Sequence, residues 1–114
     1  MALFTKKKGE TNLPTYQNQN LKTAVDRIIF DKITTDEDKY IIDLATDLLN
    51  GKPLVLNFED IDTDGANKTV AFLSGVIFAC DGRIEEIGPK IFLFARSQEF
   101  KDGTLKNFIN EYKS

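Results

Sequence analysis

The sequence contains no histidine and a single cysteine, Cys80. Without histidine, the commonest general acid–base group and metal ligand is missing. One cysteine permits neither an intrachain disulfide nor a cysteine-built zinc site. A reducing cytoplasm is the simplest compartment for such a chain. No apolar run approaches the roughly 18 residues of a membrane-spanning helix. The longest uncharged stretch, Thr69 to Cys80, has twelve residues and includes Gly75. No apolar core of about seven residues follows the N-terminal lysines, so no signal peptide is expected. These absences argue against an enzyme and against an integral membrane protein.

What is present suffices for one folded domain: 114 residues, of which 41% are hydrophobic. Charge is unevenly placed. Residues 1–24 carry four lysines against one glutamate, whereas residues 25–114 carry eleven Lys/Arg against seventeen Asp/Glu. The pattern is a basic arm on an acidic domain, and an acidic domain is a poor ligand for nucleic acid, whose phosphates need clustered cations. Gly9 to Leu21 is polar, with Pro14 and scattered Leu13, Tyr16 and Leu21. Too little apolar surface is available there to offset the entropy of ordering it, so residues 1–24 are expected to be an arm and linker.

The domain is expected over 25–114. Val25 to Ile33 is rich in β-branched residues and predicts a first strand. Thr34 followed by Glu37 suggests a capping box. Ile41, Leu44, Ala45 and Leu48 then form one helical stripe over about 35–50, closed by Gly51 as a left-handed C-cap. Pro53 to Asn57 predicts a short buried strand. Asp62 or Thr63 caps a second helix, roughly 64–80, whose apolar residues occupy two stripes: Val70, Leu73 and Ile77, and Phe72, Val76 and Ala79. A helix apolar on most sides needs cover beyond its own sheet. Arg83–Ile87 and Lys90–Arg96 predict a hairpin around Gly88-Pro89. Both faces of the second arm are apolar, which predicts a central strand. Ser97 to Gly103 is expected as a loop, and Leu105, Phe108, Ile109 and Tyr112 as a short amphipathic helix. The order β-α-β-α-β-β-α gives a two-layer α/β sandwich with a four-stranded sheet, two main helices and a short C-terminal helix.

Few groups suggest chemistry. Asp60-Ile61-Asp62-Thr63-Asp64-Gly65 has the first half of a calcium loop, but the twelfth position, where a bidentate acid belongs, is Ala71. A helix N-terminus with favourable carboxylates is the simpler account. Glu85 and Glu86 sit in a strand and point to opposite faces, which prevents a shared acid–base role. Cys80 has no cationic neighbour in sequence to activate it. Gly75 lies inside a helix, where glycine costs about 1 kcal/mol against alanine. Close packing on its own sheet, or contact with another subunit, would each explain it. At the N-terminus Leu3 and Phe4 precede Lys6, Lys7 and Lys8. Such a segment suits an anionic membrane surface. Two buried side chains and three lysines supply about 6–9 kcal/mol at best, so one arm binds weakly and several arms bind by avidity.

The run Gly51-Lys52-Pro53-Leu54-Val55-Leu56-Asn57-Phe58, then Phe72-Leu73-Ser74-Gly75-Val76-Ile77-Phe78-Ala79, Asp81-Gly82, and Ile87-Gly88-Pro89-Lys90-Ile91-Phe92-Leu93-Phe94 resembles the SepF cell-division family in order and spacing. The resemblance implies a non-enzymatic adaptor without cofactor or metal, which binds the C-terminal tail of the tubulin-like protein FtsZ. It implies a homodimer that can assemble further and a weak anionic-membrane contact through Leu3, Phe4, Lys6, Lys7 and Lys8. It places self-association at Gly75 with its neighbours Phe72 and Val76, and tail binding at Lys90 and Phe92. It also implies a cytoplasmic location at the division septum, peripheral to the inner face of the membrane. The arm is shorter than is usual in the family, and the helix over 104–113 is not a family hallmark. A reading of a different class is a small regulatory domain of the anti-sigma-antagonist kind. That needs a phosphorylatable serine where a loop enters a helix, and Ser74 falls mid-helix.

Overall fold

Alternation along two strands decides the layering. In a computed structural model describing residues 22–114, Leu54 and Leu56 of β2 (Leu54–Asn57) and Phe94 of β4 (Ile91–Arg96) join a core with Ile33, Leu44, Leu48, Leu73 and Ile77. Val55, Leu93 and Ala95, one residue out of phase, join a second core with Ala24, Ile87, Leu105 and Ile109. The central strands are therefore apolar on both faces because both faces are covered.

The sheet order is β1-β2-β4-β3, with β1 (Ile29–Lys32) parallel to β2 and the remaining pairs antiparallel. Helices α1 (Asp38–Leu49) and α2 (Thr63–Ala79) cover one face, and α3 (Thr104–Lys113) packs Leu105 and Ile109 on the other. The mixed α/β sandwich expected from the sequence is present. The C-terminal helix is a partial third layer. Strand β3 (Gly82–Gly88) forms the far edge. Its first residue must be glycine, because a Cβ there would lie 2.6 Å from the Ala95 carbonyl oxygen and 2.8 Å from Ile77 Cδ1.

Three boundaries differ from the sequence expectation. Val25–Arg27 is a 3₁₀ turn and the first strand begins only at Ile29. The Ala24 N–H is drawn to Asp102 Oδ2 at 2.9 Å and the Val25 N–H to the Thr104 hydroxyl at 3.2 Å, which pins this segment to the start of α3 instead of extending it along β2. At α1 the expected capping box is absent: Glu37 is the N-cap and uses no side-chain bond, while its own N–H donates to Thr35 Oγ1 at 3.2 Å. Residues Ser97–Phe100, expected as loop, form a 3₁₀ turn. At α2 the expected cap holds, with Asp62 Oδ1 accepting from the Gly65 N–H at 2.7 Å.

Asp102 ties the segment around Ala24 to the last helix. Thr104 N–H, Ala24 N–H and the Thr104 hydroxyl all donate to its carboxylate and hold its pKa below the ordinary 3.8. The unfolded chain takes up this proton near the ordinary value and the folded chain only at lower pH. The carboxylate's contribution is therefore full above about pH 5 and is lost as pH falls through the depressed value. Thermal unfolding followed from about pH 5 to about pH 2 is expected to show a shallower acid loss in Asp102→Asn than in the parent. Parallel curves would exclude Asp102 from the acid limb.

Candidate functional site

The turn between β3 and β4 sets the geometry of a pocket. Pro89 occupies its second position and Lys90 its third, with φ +60°. Proline followed by a positive φ is the pattern of a type II turn, in which the third residue is usually glycine or asparagine. A side chain held in that region carries about 1–2 kcal/mol of strain. The Lys90 carbonyl accepts from the Phe58 N–H at 2.8 Å, which locks the turn against the end of β2. This places Lys90 at the rim of a cavity of about 260 Å³ between the start of α2 and the start of β4.

Phe58, Ile61, Val70 and Phe92 form its apolar walls, and Thr63, Asn67 and Lys90 add polar groups. The Phe58 and Phe92 rings meet edge to face with centroids 5.9 Å apart. Lys90 and Phe92, which the resemblance singles out, thus share one pocket. Its other walls come from Phe58 through Val70, and nothing in their local spacing reveals that they converge. An apolar floor with one cation at the rim suits an extended peptide that carries an apolar side chain and a nearby acid.

A second surface lies along α2. Gly65, Thr69, Leu73 and Ile77 are buried at four-residue spacing against the sheet. The opposite face holds Ala71, Phe72, Gly75, Phe78 and Ala79, all exposed. Phe78 is 88% exposed and Phe72 44%. A Cβ added at Gly75 would meet nothing within 4 Å, so packing within this chain does not explain the glycine. Val76 is half-buried and leans on the core beside α1, while Phe72 faces outward. The grouping of Phe72 with Val76 on one stripe therefore splits between two environments. Ser74 lies in the second half of α2, half-buried.

Two of the acidic groups singled out in the sequence have cationic partners. Glu85 lies 3.7 Å from Lys113 on α3, and Asp60 lies 3.3 Å from Lys32. Cys80 is half-buried at the end of α2 with its sulfur 3.7 Å from the Ile77 carbonyl. The Tyr40 hydroxyl donates to Asp31, and burial together with that contact pushes its pKa up to about 12. Leu3, Phe4, Lys6, Lys7 and Lys8 lie outside the described residues. Among the described residues no helix is long and apolar enough to cross a membrane.

Residues 30–98 match the family model of the cell division protein SepF. The chain belongs to the SepF family. The cell division protein SepF of Lactobacillus helveticus is 35% identical over 69 residues, which is 60% of this chain and 48% of that protein. That of Alkaliphilus metalliredigens is 34% identical over 89 residues, 78% of this chain and 58% of its own. That of Lactiplantibacillus plantarum is 42% identical over 65 residues, 54% and 46%. The chain spans about half the length of these relatives. The SepF match runs from Phe30 in β1 to Gln98 in the last 3₁₀ turn, so it contains α1, α2, the pocket and Gly75, while α3 lies beyond it. These relatives are cell division proteins.

Proposed function

We propose that this protein is a non-enzymatic adaptor that binds the C-terminal tail of FtsZ, associates with itself, and holds or aligns FtsZ filaments at the membrane during septum formation. The observation that carries the reading is the pocket in which Lys90 and Phe92 converge with Phe58, Ile61 and Val70. An extended tail would seat an apolar side chain against Phe58 and Phe92, with Lys90 meeting a carboxylate. The exposed face of α2, with Phe72, Gly75 and Phe78, is the surface for a second copy and, beyond a homodimer, for longer assemblies. Leu3, Phe4 and the lysines at 6, 7 and 8 supply a weak contact with anionic membrane, which copies in an assembly add together. The protein then works in the cytoplasm, peripheral to the inner face of the membrane at the septum. No step involves turnover.

Calorimetric titration of the full chain with the FtsZ tail peptide tests it. Saturable binding is expected. Phe92→Ala is expected to weaken it by roughly 30-fold or more, the loss of a central aromatic anchor. Lys90→Glu, which leaves the apolar walls in place, should also weaken it and steepen no salt dependence. Absence of binding by the folded parent protein would overturn the assignment of the tail to this pocket.

A further inference from the structure

The flank of α2 that borders the Phe92 pocket carries a side chain that the fold does not use. Helical spacing puts Lys68 on the flank toward α1, where its Nζ donates to the Asp36 carbonyl at 2.8 Å and lies 3.0 Å from Asp38 Oδ1. Thr63, Asn67 and Val70 fall on the opposite flank, and all three line the pocket. Other polar groups of these turns are engaged within the chain. Asp62 caps the Gly65 N–H, and the Thr69 hydroxyl donates to the Gly65 carbonyl at 2.9 Å. Among the described residues the Asn67 amide has no hydrogen-bond partner and Lys90 has no ion-pair partner. Asn67 is exposed in the second turn of α2, where asparagine is a poorer helix former than leucine or alanine. Neither packing nor helix propensity accounts for it.

The surroundings decide what Asn67 can read. Glu59, Asp60, Asp62 and Asp64 precede it in the loop and first turn. A ligand carboxylate is therefore repelled beside Thr63 and Asn67, and its cationic partner at the pocket rim is Lys90. The chemistry left to Asn67 is neutral: an amide with donor and acceptor, the complement of a peptide unit. An extended segment with one side chain down on Phe58 and Phe92 holds its own N–H and C=O groups sideways, toward the flanks of the cavity. A helical segment spends those groups internally. From Thr63 to Val70 the helix rises about 10 Å, the length of about three extended residues. We infer that Asn67 is a specificity-determining residue that pairs with a backbone amide of the bound tail. The pocket thereby selects a short extended segment, with its acid toward Lys90 and an uncharged residue beside Asn67. This rests on the reading that the FtsZ tail occupies the Phe92 pocket.

Calorimetric titration of the full chain with the FtsZ tail peptide, and with peptides N-methylated at one backbone nitrogen each, tests the inference. In the parent protein, methylation at one position of the bound segment is expected to weaken binding about tenfold. Asn67→Leu is expected to weaken the unmodified tail about tenfold and to respond less than about twofold to methylation at that position. Its urea midpoint should equal or exceed the parent's, since leucine is the better helix former. Tail binding that falls in Phe92→Ala but stays at the parent's level in Asn67→Leu would keep the pocket reading and overturn the role of Asn67. A weakened Asn67→Leu that remains as sensitive to methylation as the parent would also overturn it, as would a loss of fold stability alongside the loss of binding. Binding left unchanged by both Phe92→Ala and Asn67→Leu would move the tail off this pocket and overturn both readings. A folded parent protein that binds no tail does the same.

Discussion

Replacing Glu99 by alanine is expected to destabilise the fold by about 3 kcal/mol and to lower the thermal midpoint by roughly 12–20 °C. Glu99 is only 4% exposed although it sits in a surface 3₁₀ turn. Its two oxygens accept Arg96 Nε and Nη2 at 2.8 and 2.9 Å, a bidentate pair. Arg27 Nη2 approaches at 3.9 Å. The same guanidiniums hold the end of α1 through the carbonyls of Leu49 and Gly51. Gly51, with φ +89°, brings that chain end close enough for Arg96 Nη2 to lie 3.2 Å from where its Cβ would be. One carboxylate therefore joins the end of β4, the end of α1 and the N-terminal 3₁₀ turn.

Breaking a buried pair by removing one partner costs about 3–5 kcal/mol, because the other charge is left behind. Arg96 keeps a quarter of its side chain in solvent, which places the loss at the lower end. Glu99→Gln retains shape and one acceptor and is expected to cost about 1–2 kcal/mol. Removing both charges in Arg96→Met/Glu99→Leu should cost less than the two single changes added together, since no charge is stranded. Urea unfolding of Glu99→Ala, Glu99→Gln, the double variant and its two components, Arg96→Met and Glu99→Leu, gives the comparison. A loss below about 1 kcal/mol in Glu99→Ala would mean that water serves Arg96 as well as Glu99 does.

Glu99 also shows what the sequence conceals. A glutamate three residues after an arginine in a polar stretch gives no signal of burial, and the stretch has the composition of a loop. The fold was legible where one local rule dominates. The stripe Ile41, Leu44, Ala45, Leu48 specifies α1, and the two-sided apolar alternation of β4 specifies a central strand and a cover for each face. It was illegible where a distant group decides. Val25 and Ile28 have strand propensity, yet Asp102, 78 residues from Ala24, turns their segment into a 3₁₀ turn. Before α1, Thr34, Thr35, Asp36 and Glu37 offer several competing starts, and the chain uses one without a side-chain cap. Of the pocket, Lys90 and Phe92 were reachable through resemblance to a family. Phe58, Ile61 and Val70 were not, because only the β2–β4 pairing brings the acidic loop and α2 alongside them. Phe78 is nearly fully exposed because it lies off the α2 face, marked by Gly65, Thr69, Leu73 and Ile77, that meets the sheet.

Gly75→Lys is expected to raise the stability of the monomer while abolishing self-association, two effects of opposite sign from one substitution. Nothing lies within 4 Å of the added Cβ, so the fold accepts the side chain without rearrangement. Mid-helix glycine is about 1 kcal/mol less favourable than alanine, and lysine is close to alanine, so α2 should gain roughly 0.5–1 kcal/mol. On the face shared with Phe72 and Phe78, the same side chain puts a charge where a second copy would bury aromatic surface. In a two-fold pair each residue of the face counts twice. A burial worth about 1.5–3 kcal/mol per phenylalanine is then lost in both copies, which corresponds to a weakening of at least about 100-fold. Phe78→Ser is the companion: it removes apolar area from an 88% exposed position and should reduce association with little change in the fold. Sedimentation velocity across a concentration series measures association. Urea unfolding at the lowest concentration isolates the monomer, since association would otherwise add its own concentration-dependent stability. Undiminished assembly in Gly75→Lys would remove α2 from the interface and leave its exposed aromatics to another partner. Loss of assembly together with a less stable monomer would instead mean that Gly75 serves the fold itself.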